Sequence, residues 1–225
     1  ENETNKKVYL EAIGAGGYGN LQQYLLAKNL KHKIDPDFIL FQFCNNDFMD
    51  NTLEWEILSF NRNQFMRRPY IDEENHKIKY YEGKLKYFYT SYLFENIRSL
   101  NRFELFISVF QSLFRSYFYK KGSYDVKEEI KEKSIKTTDL NFKKIRDLYK
   151  DKNIFIFNCS KDERYPYKYW DEIARDNKMF TIDLFENFIS TEELFYKDGG
   201  HFNEKGNYMI GSLLYKSFIK QYYLN

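Results

Sequence analysis

The spacing of apolar residues along the chain changes from alternate positions to every third or fourth position and back several times, the mark of a mixed α/β protein. The chain opens with an apolar stretch from Val8 to Ile13, a glycine-rich turn from Gly14 to Asn20, and an amphipathic stretch, LQQYLLAKNL. The polar Asp35-Pro36-Asp37 and the apolar run FILFQF follow. That order predicts two parallel strands joined by a helical crossover. After Phe43 the chain turns through Cys44-Asn45-Asn46-Asp47, residue types that accept turn conformations and bond their own backbone. Ligands of open α/β sheets bind beyond the carboxyl ends of the strands, so Gly14 to Asn20 and Asn45 to Asp47 are expected to share one rim.

The middle of the chain is less regular. A hairpin is expected around RPYIDEENHKIKYYEG, followed by a long helical region rich in Phe, Tyr and Leu; together, about 51–135 reads as an insertion capping the sheet. From Asp125 to Lys152, apolar positions at helical spacing (Leu140, Phe142, Ile145, Leu148, Tyr149) predict a helix with one buried stripe and a solvated face. A strand over Ile154 to Phe157, a helix near Tyr167 to Ala174, and a short strand MFTI leading into Asp183 resume the α/β alternation. The stretch Asn203 to Tyr222, apolar at Met209, Ile210, Leu213, Leu214, Phe218 and Ile219, predicts a terminal helix packed on the sheet.

Length and composition narrow the function classes. At 225 residues the chain makes one domain, 1–225. Its 35 Lys and Arg against 33 Asp and Glu leave a net charge of +2, so no broad basic field exists to gather nucleic acid. Hydrophobic residues at 43% exclude a disordered chain. Two cysteines, Cys44 and Cys159, do not make a disulfide framework, and no Cys/His cluster has zinc-ligand spacing, so no metal is expected. No apolar run approaches the roughly 20 residues of a membrane helix, and no basic-then-apolar signal peptide opens the chain. The first residue is Glu1 and not methionine, which reads as a processed or trimmed chain.

Candidate chemistry concentrates in the turn DGGHFNEKGN, where Asp198 stands three residues before His201 at the start of the last helix. That spacing lets the carboxylate hold one imidazole nitrogen and leaves the other to act as a general base. Gly17, in a turn that opens a helix, offers a backbone N–H, and Asn46 offers a side-chain amide from the neighbouring strand end. Together they can bind an oxyanion.

On these residues the chain resembles the SGNH or GDSL-type hydrolases. YLEAIGAGGYGNLQQYLLAKN is similar to the second block of that family, with Gly17 on its oxyanion glycine. FQFCNNDF is similar to the third, with Asn46 on its oxyanion asparagine, and DGGHFNEKGN to the fifth, with Asp198 and His201. NRNQFMRRPYI also resembles the connection that many bacterial members carry after the third block. The resemblance implies a flavodoxin-like three-layer α/β/α sandwich with a parallel sheet, hydrolysis of a small-molecule, carbohydrate or lipid ester, and no cofactor. The family's first block, a strand ending in Gly-Asp-Ser with the nucleophilic serine, has no counterpart here, since only Glu1 to Lys7 precede the second and no serine occurs before Ser59. The resemblance therefore implies an N-terminally truncated hydrolase lacking its first strand, with the sheet edges beside that strand left open. A catalytically inactive binding protein of the same fold is the alternative. Secretion or membrane anchoring through the preceding segment stays open.

Three other readings compete. Cys159 and Ser160 follow a strand end, and a cysteine beside a histidine is a nucleophile in other proteins. Their plain reading is a small apolar residue and a turn residue, in a loop with Lys161, Asp162 and Arg164 that shapes the pocket. Gly14, Gly16 and Gly19 satisfy a dinucleotide fingerprint, but the acidic ribose ligand it requires is misplaced and Tyr18 crowds the helix start. The aromatic stretch YFYTSYLFENIRSLNRFELFISVFQSLFRSYFYKK reads as core or cap more readily than as a partner-binding or membrane-surface helix. His32 and His76 read as surface residues.

Overall fold

The computed structural model describes residues 9, 11–14, 17–58, 68–81, 126–159, 165, 166, 168–182, 192–196 and 202–222, the last five of these as backbone only. In chain order the elements are α1 (Asn20–Leu30), β1 (Phe38–Phe43), α2 (Asp47–Asp50), α3 (Leu53–Leu58), β2 (Arg68–Ile71) and β3 (Ile78–Tyr81). Then come α4 (Glu128–Leu148), β4 (Asn153–Asn158), α5 (Tyr169–Asp176), β5 (Phe180–Ile182), a single 3-10 turn at Glu192–Leu194, and α6 (Glu204–Tyr222).

The sheet is parallel, in the order β1-β4-β5, and the protein is mixed α/β. Strand β4 is central and buried almost throughout, because helices cover both of its faces. Side chains alternate: Ile154 and Ile156 join Phe41, Phe43, Phe142 and Ile145 of α4, and Trp170 and Ile173 of α5, in one core. Phe155 and Phe157 face the other way and meet Ile182 and Ile210, the latter from α6. Each fully buried phenylalanine removes enough apolar surface to contribute about 1.5–3 kcal/mol. At the end of α4, Arg146 donates to the carbonyls of Asn177 at 3.1 Å and Lys152 at 3.0 Å, and to that of Lys178, tying the entrance of β4 to the turn before β5.

Among the described residues, the helices and strands expected from Leu21 onward match these elements within a few residues, and the expected hairpin is the antiparallel β2-β3 pair. The expected stripe of α4 is buried at Phe142, Ile145 and Tyr149, but its first half buries Ser134, Thr137, Thr138 and Asn141 instead of apolar groups. The strand expected over Val8 to Ile13 is not seen: Tyr9 and residues 11–13 carry no strand, and Tyr9 and Ile13 are exposed. Among the described residues β1 borders only β4, and that stretch does not pair with the other edge of β1. The aromatic region 87–121 lies outside the described residues.

Candidate active site

The rim at the carboxyl end of β1 is built from short polar side chains that bond the backbone around them. Cys44 N–H donates to Asp47 Oδ2 at 3.2 Å, and Asp47 N–H donates back to the Cys44 carbonyl at 2.7 Å, closing a tight turn. Asn46, the residue before α2, donates its amide Nδ2 to Asp50 Oδ2 at 2.9 Å, one helical turn on. An amide nitrogen carries two hydrogens, so Asn46 has a second N–H to offer.

The glycine turn lies against this loop. Gly17 has φ 78°, a left-handed conformation that favours glycine. A Cβ on Gly19 would stand 3.0 Å from Asn51 Oδ1 and 3.1 Å from Asp50 Cβ, so a larger residue would part the two loops. Asn20, which opens α1, donates its backbone N–H to Asn51 Oδ1 at 3.0 Å and its Nδ2 to Asp47 Oδ2 at 3.1 Å. Asn51 Nδ2 returns a bond to Asn20 Oδ1 at 2.8 Å. Gly17 to Asn20 and Asn45 to Asp47 thus share one rim, as expected; residues 15 and 16 lie outside the described residues.

A second layer of buried polar groups supports this rim. Asn51 Nδ2 also donates to Thr138 Oγ1 at 3.0 Å, which engages the polar half of α4. Asn158 Nδ2 at the end of β4 donates to Asn45 Oδ1 at 2.7 Å. Arg68, 5% exposed on β2, donates Nη1 to the Gly17 carbonyl at 2.8 Å, and its Nε lies 3.4 Å from the fully buried Glu56 carboxylate. Tyr70 OH donates to the same carboxylate. Burial, and after it the neighbouring Asp50 carboxylate, hold the Asp47 carboxyl well above its usual pKa, against the opposing pull of its bonds to Cys44 and Asn20 and of the Arg68 charge. Burial and then Glu56 likewise raise the Tyr70 phenol. Removing one partner of such a buried pair costs about 3–5 kcal/mol, because the other charge is stranded.

Cys44 and Cys159 form a disulfide. Each follows its strand by one residue, and β1 and β4 pair in register as far as Phe43 and Asn158, so the two cysteines fall opposite one another with Cα atoms 5.1 Å apart. This overturns the reading of Cys159 as a nucleophile, since a bonded sulfur offers no thiolate. Too few cysteines make a framework, but these two make one staple.

Asp198 and His201 lie outside the described residues, as does Ser160. The ends of the loop that carries Asp198 and His201 are described. Phe195 and Phe202 form an antiparallel bridge with ring centroids 4.5 Å apart, and Asn203 Nδ2 donates to the carbonyls of Glu193 at 2.8 Å and Phe195 at 3.1 Å. Phe202 packs on the cluster that contains Cys159, against which Cys44 also packs. Phe202, at one end of that loop, thus belongs to the same apolar cluster as both cysteines. His32 and His76 are exposed.

The start of α1, which a dinucleotide pyrophosphate would need, is taken by Asn51 and stands beside the carboxyl groups of Asp47 and Asp50. Among the described residues no group of three or more His, Cys, Asp or Glu is arranged to hold a metal ion, and no helix is long and apolar enough to cross a membrane. No family model, no curated protein and no solved structure matches the chain. Reading the sequence missed the Cys44–Cys159 pair and the Glu56–Arg68–Tyr70 group. Equal offsets of the cysteines past two apolar strands, and a glutamate between Trp55 and Ile57, were the available signals.

Proposed function

We propose that this chain forms most of an SGNH-type ester hydrolase, on a flavodoxin-like α/β/α sandwich, whose nucleophilic serine is carried by a further segment preceding Glu1. The observation that carries the reading is the joining of the Gly17 turn to the Asn46 loop, through three buried hydrogen bonds, at the end of one strand. A donor pair for a tetrahedral oxyanion needs that kind of rigid juxtaposition. Two further features favour the reading. Strand β1 borders only β4 among the described residues, with Leu40 39% exposed, which suits an added strand on its open side. Phe202, the residue after His201, packs on the cluster that contains Cys159, one residue past the end of β4, which favours a histidine near that rim.

In this mechanism the serine attacks the acyl carbonyl while His201 takes its proton, and Asp198 orients the imidazole and stabilises its cation. Gly17 N–H and the Asn46 amide bind the oxyanion. His201 then returns the proton to the departing alcohol, and water releases the acyl group. The test is turnover of short-chain nitrophenyl esters by the complete protein, together with labelling by a serine-directed fluorophosphonate. His201→Ala is expected to lower kcat by about 10³-fold or more and to abolish labelling, with the thermal melt unchanged. Unaltered turnover in that variant would refute the assignment.

A further inference from the structure

We propose that Arg68 is a positioning residue of the oxyanion-binding pair: it fixes the Gly17 peptide from behind, as Asp50 fixes the Asn46 amide. This role presupposes the ester-hydrolase reading of the site. Gly17 sits in left-handed backbone, where a glycine is free to rotate unless something holds it. The Arg68 Nη1 bond to its carbonyl, at 2.8 Å, holds the Gly17–Tyr18 peptide plane, and through φ and ψ of Gly17 that plane restrains the preceding peptide, which carries the Gly17 N–H. The arginine is itself immobile. It is buried on a four-residue strand that is buried throughout, and its Nε stands against Glu56, which Tyr70 OH also engages. Asn46 is held in the parallel way, its Nδ2 on Asp50 at 2.9 Å leaving the second amide hydrogen for a ligand. The guanidinium suits this task because Nη1 bonds the carbonyl while the Nε side of the same delocalised charge stands 3.4 Å from the carboxylate, a division that a point-charge ammonium does not offer. The β2-β3 hairpin, remote in sequence from every expected catalytic residue, thereby sets the geometry of the site.

Removing Arg68 alone would strand Glu56, so the test replaces both. In the complete protein, Glu56→Gln with Arg68→Met leaves no unpaired charge in this pair, while Glu56→Gln alone keeps the bond to Gly17. The double variant, melting cooperatively, is expected to lose about 10- to 100-fold in kcat with KM unchanged, since donors are displaced and not deleted. Its affinity for an alkyl boronic acid, whose serine adduct mimics the tetrahedral oxyanion, is expected to fall in proportion, and Glu56→Gln, which keeps the bond to Gly17 but loosens the arginine behind it, to fall between the double variant and the parent on both measures. A folded double variant with the parent's kcat and boronate affinity overturns the role of Arg68 and leaves the hydrolase reading standing. A parent protein that turns over no ester, or does so equally well as His201→Ala, overturns the hydrolase reading and this role with it. Should the double variant not fold, Arg68→Lys decides: a loss of kcat at constant KM supports the role, and full kcat overturns it.

Discussion

Replacing both Cys44 and Cys159 by Ala tests the staple at the rim. The disulfide closes a loop of 115 residues, which in the chain-entropy account removes about 16 cal/mol/K from the unfolded ensemble, or about 4.8 kcal/mol at 25 °C. Native β1 and β4 already pair in register up to the residues before the cysteines, so the folded state gives up little to form the bond. A loss of that size is comparable with the whole stability of many domains, at about 5–15 kcal/mol. Equilibrium urea denaturation measures it. With a slope of about 2.5 kcal/mol/M the midpoint should fall by about 2 M, and the slope itself should rise, because an unstapled chain exposes more surface on unfolding. A midpoint shift below about 0.4 M, or alkylation of both thiols by iodoacetamide in unreduced denatured protein, would refute the reasoning.

Two other expectations follow from packing and charge. A Cβ at Gly206, in the first turn of α6, would overlap the Leu194 carbonyl and stand 3.1 Å from Phe202 Cβ; Gly206→Ala should lower stability by about 1–3 kcal/mol despite better helix propensity, and a raised Tm would show that the contact is not made in solution. The raised pKa of Asp47 means that the folded state holds its proton more tightly than the unfolded state, whose value is near 3.8, so the stability this group contributes is fully present below that pH and is lost as pH rises from there through the folded value. Asp47→Asn should therefore gain on the parent by about 1.4 kcal/mol per pH unit across that window in pH-series melts, whereas a pH-independent difference would place the carboxyl in water.

Much of the fold was legible because period and turn chemistry are local. FILFQF, broken only by Gln42, and the IFIF of NIFIFN are apolar runs between polar turns, and they form strands at those residues; the helical stripe ending at Tyr149 does the same for α4. The failure at Val8 to Ile13 has the opposite cause, since a strand exists only through its neighbour and the sequence of a strand does not name one. Partnering also hid the support of the site. Nothing local tells that Arg68 reaches Gly17, 51 residues earlier, or that Thr138 reaches Asn51, 87 residues earlier. Glycine, Asn and Asp at the rim were visible because their residue types carry turn chemistry, whereas Arg68 and Glu56 look like surface charges until a hairpin buries them. The cysteines looked unpaired for the same reason: their adjacency is a property of strand order.

The in-register pairing of β1 with β4 also has a consequence during synthesis. FILFQF leaves the ribosome well before its partner: at about 5–20 residues per second, the 115 residues that separate the two strand ends take roughly 6 to 23 s to appear. Through that interval the edge of the apolar strand that β4 will take is unpaired, and Leu40 stays exposed even when β4 arrives. An unpaired apolar edge of this kind invites misplaced pairing before β4 appears, so slower translation between Phe43 and Asn153 should lower the yield of folded protein.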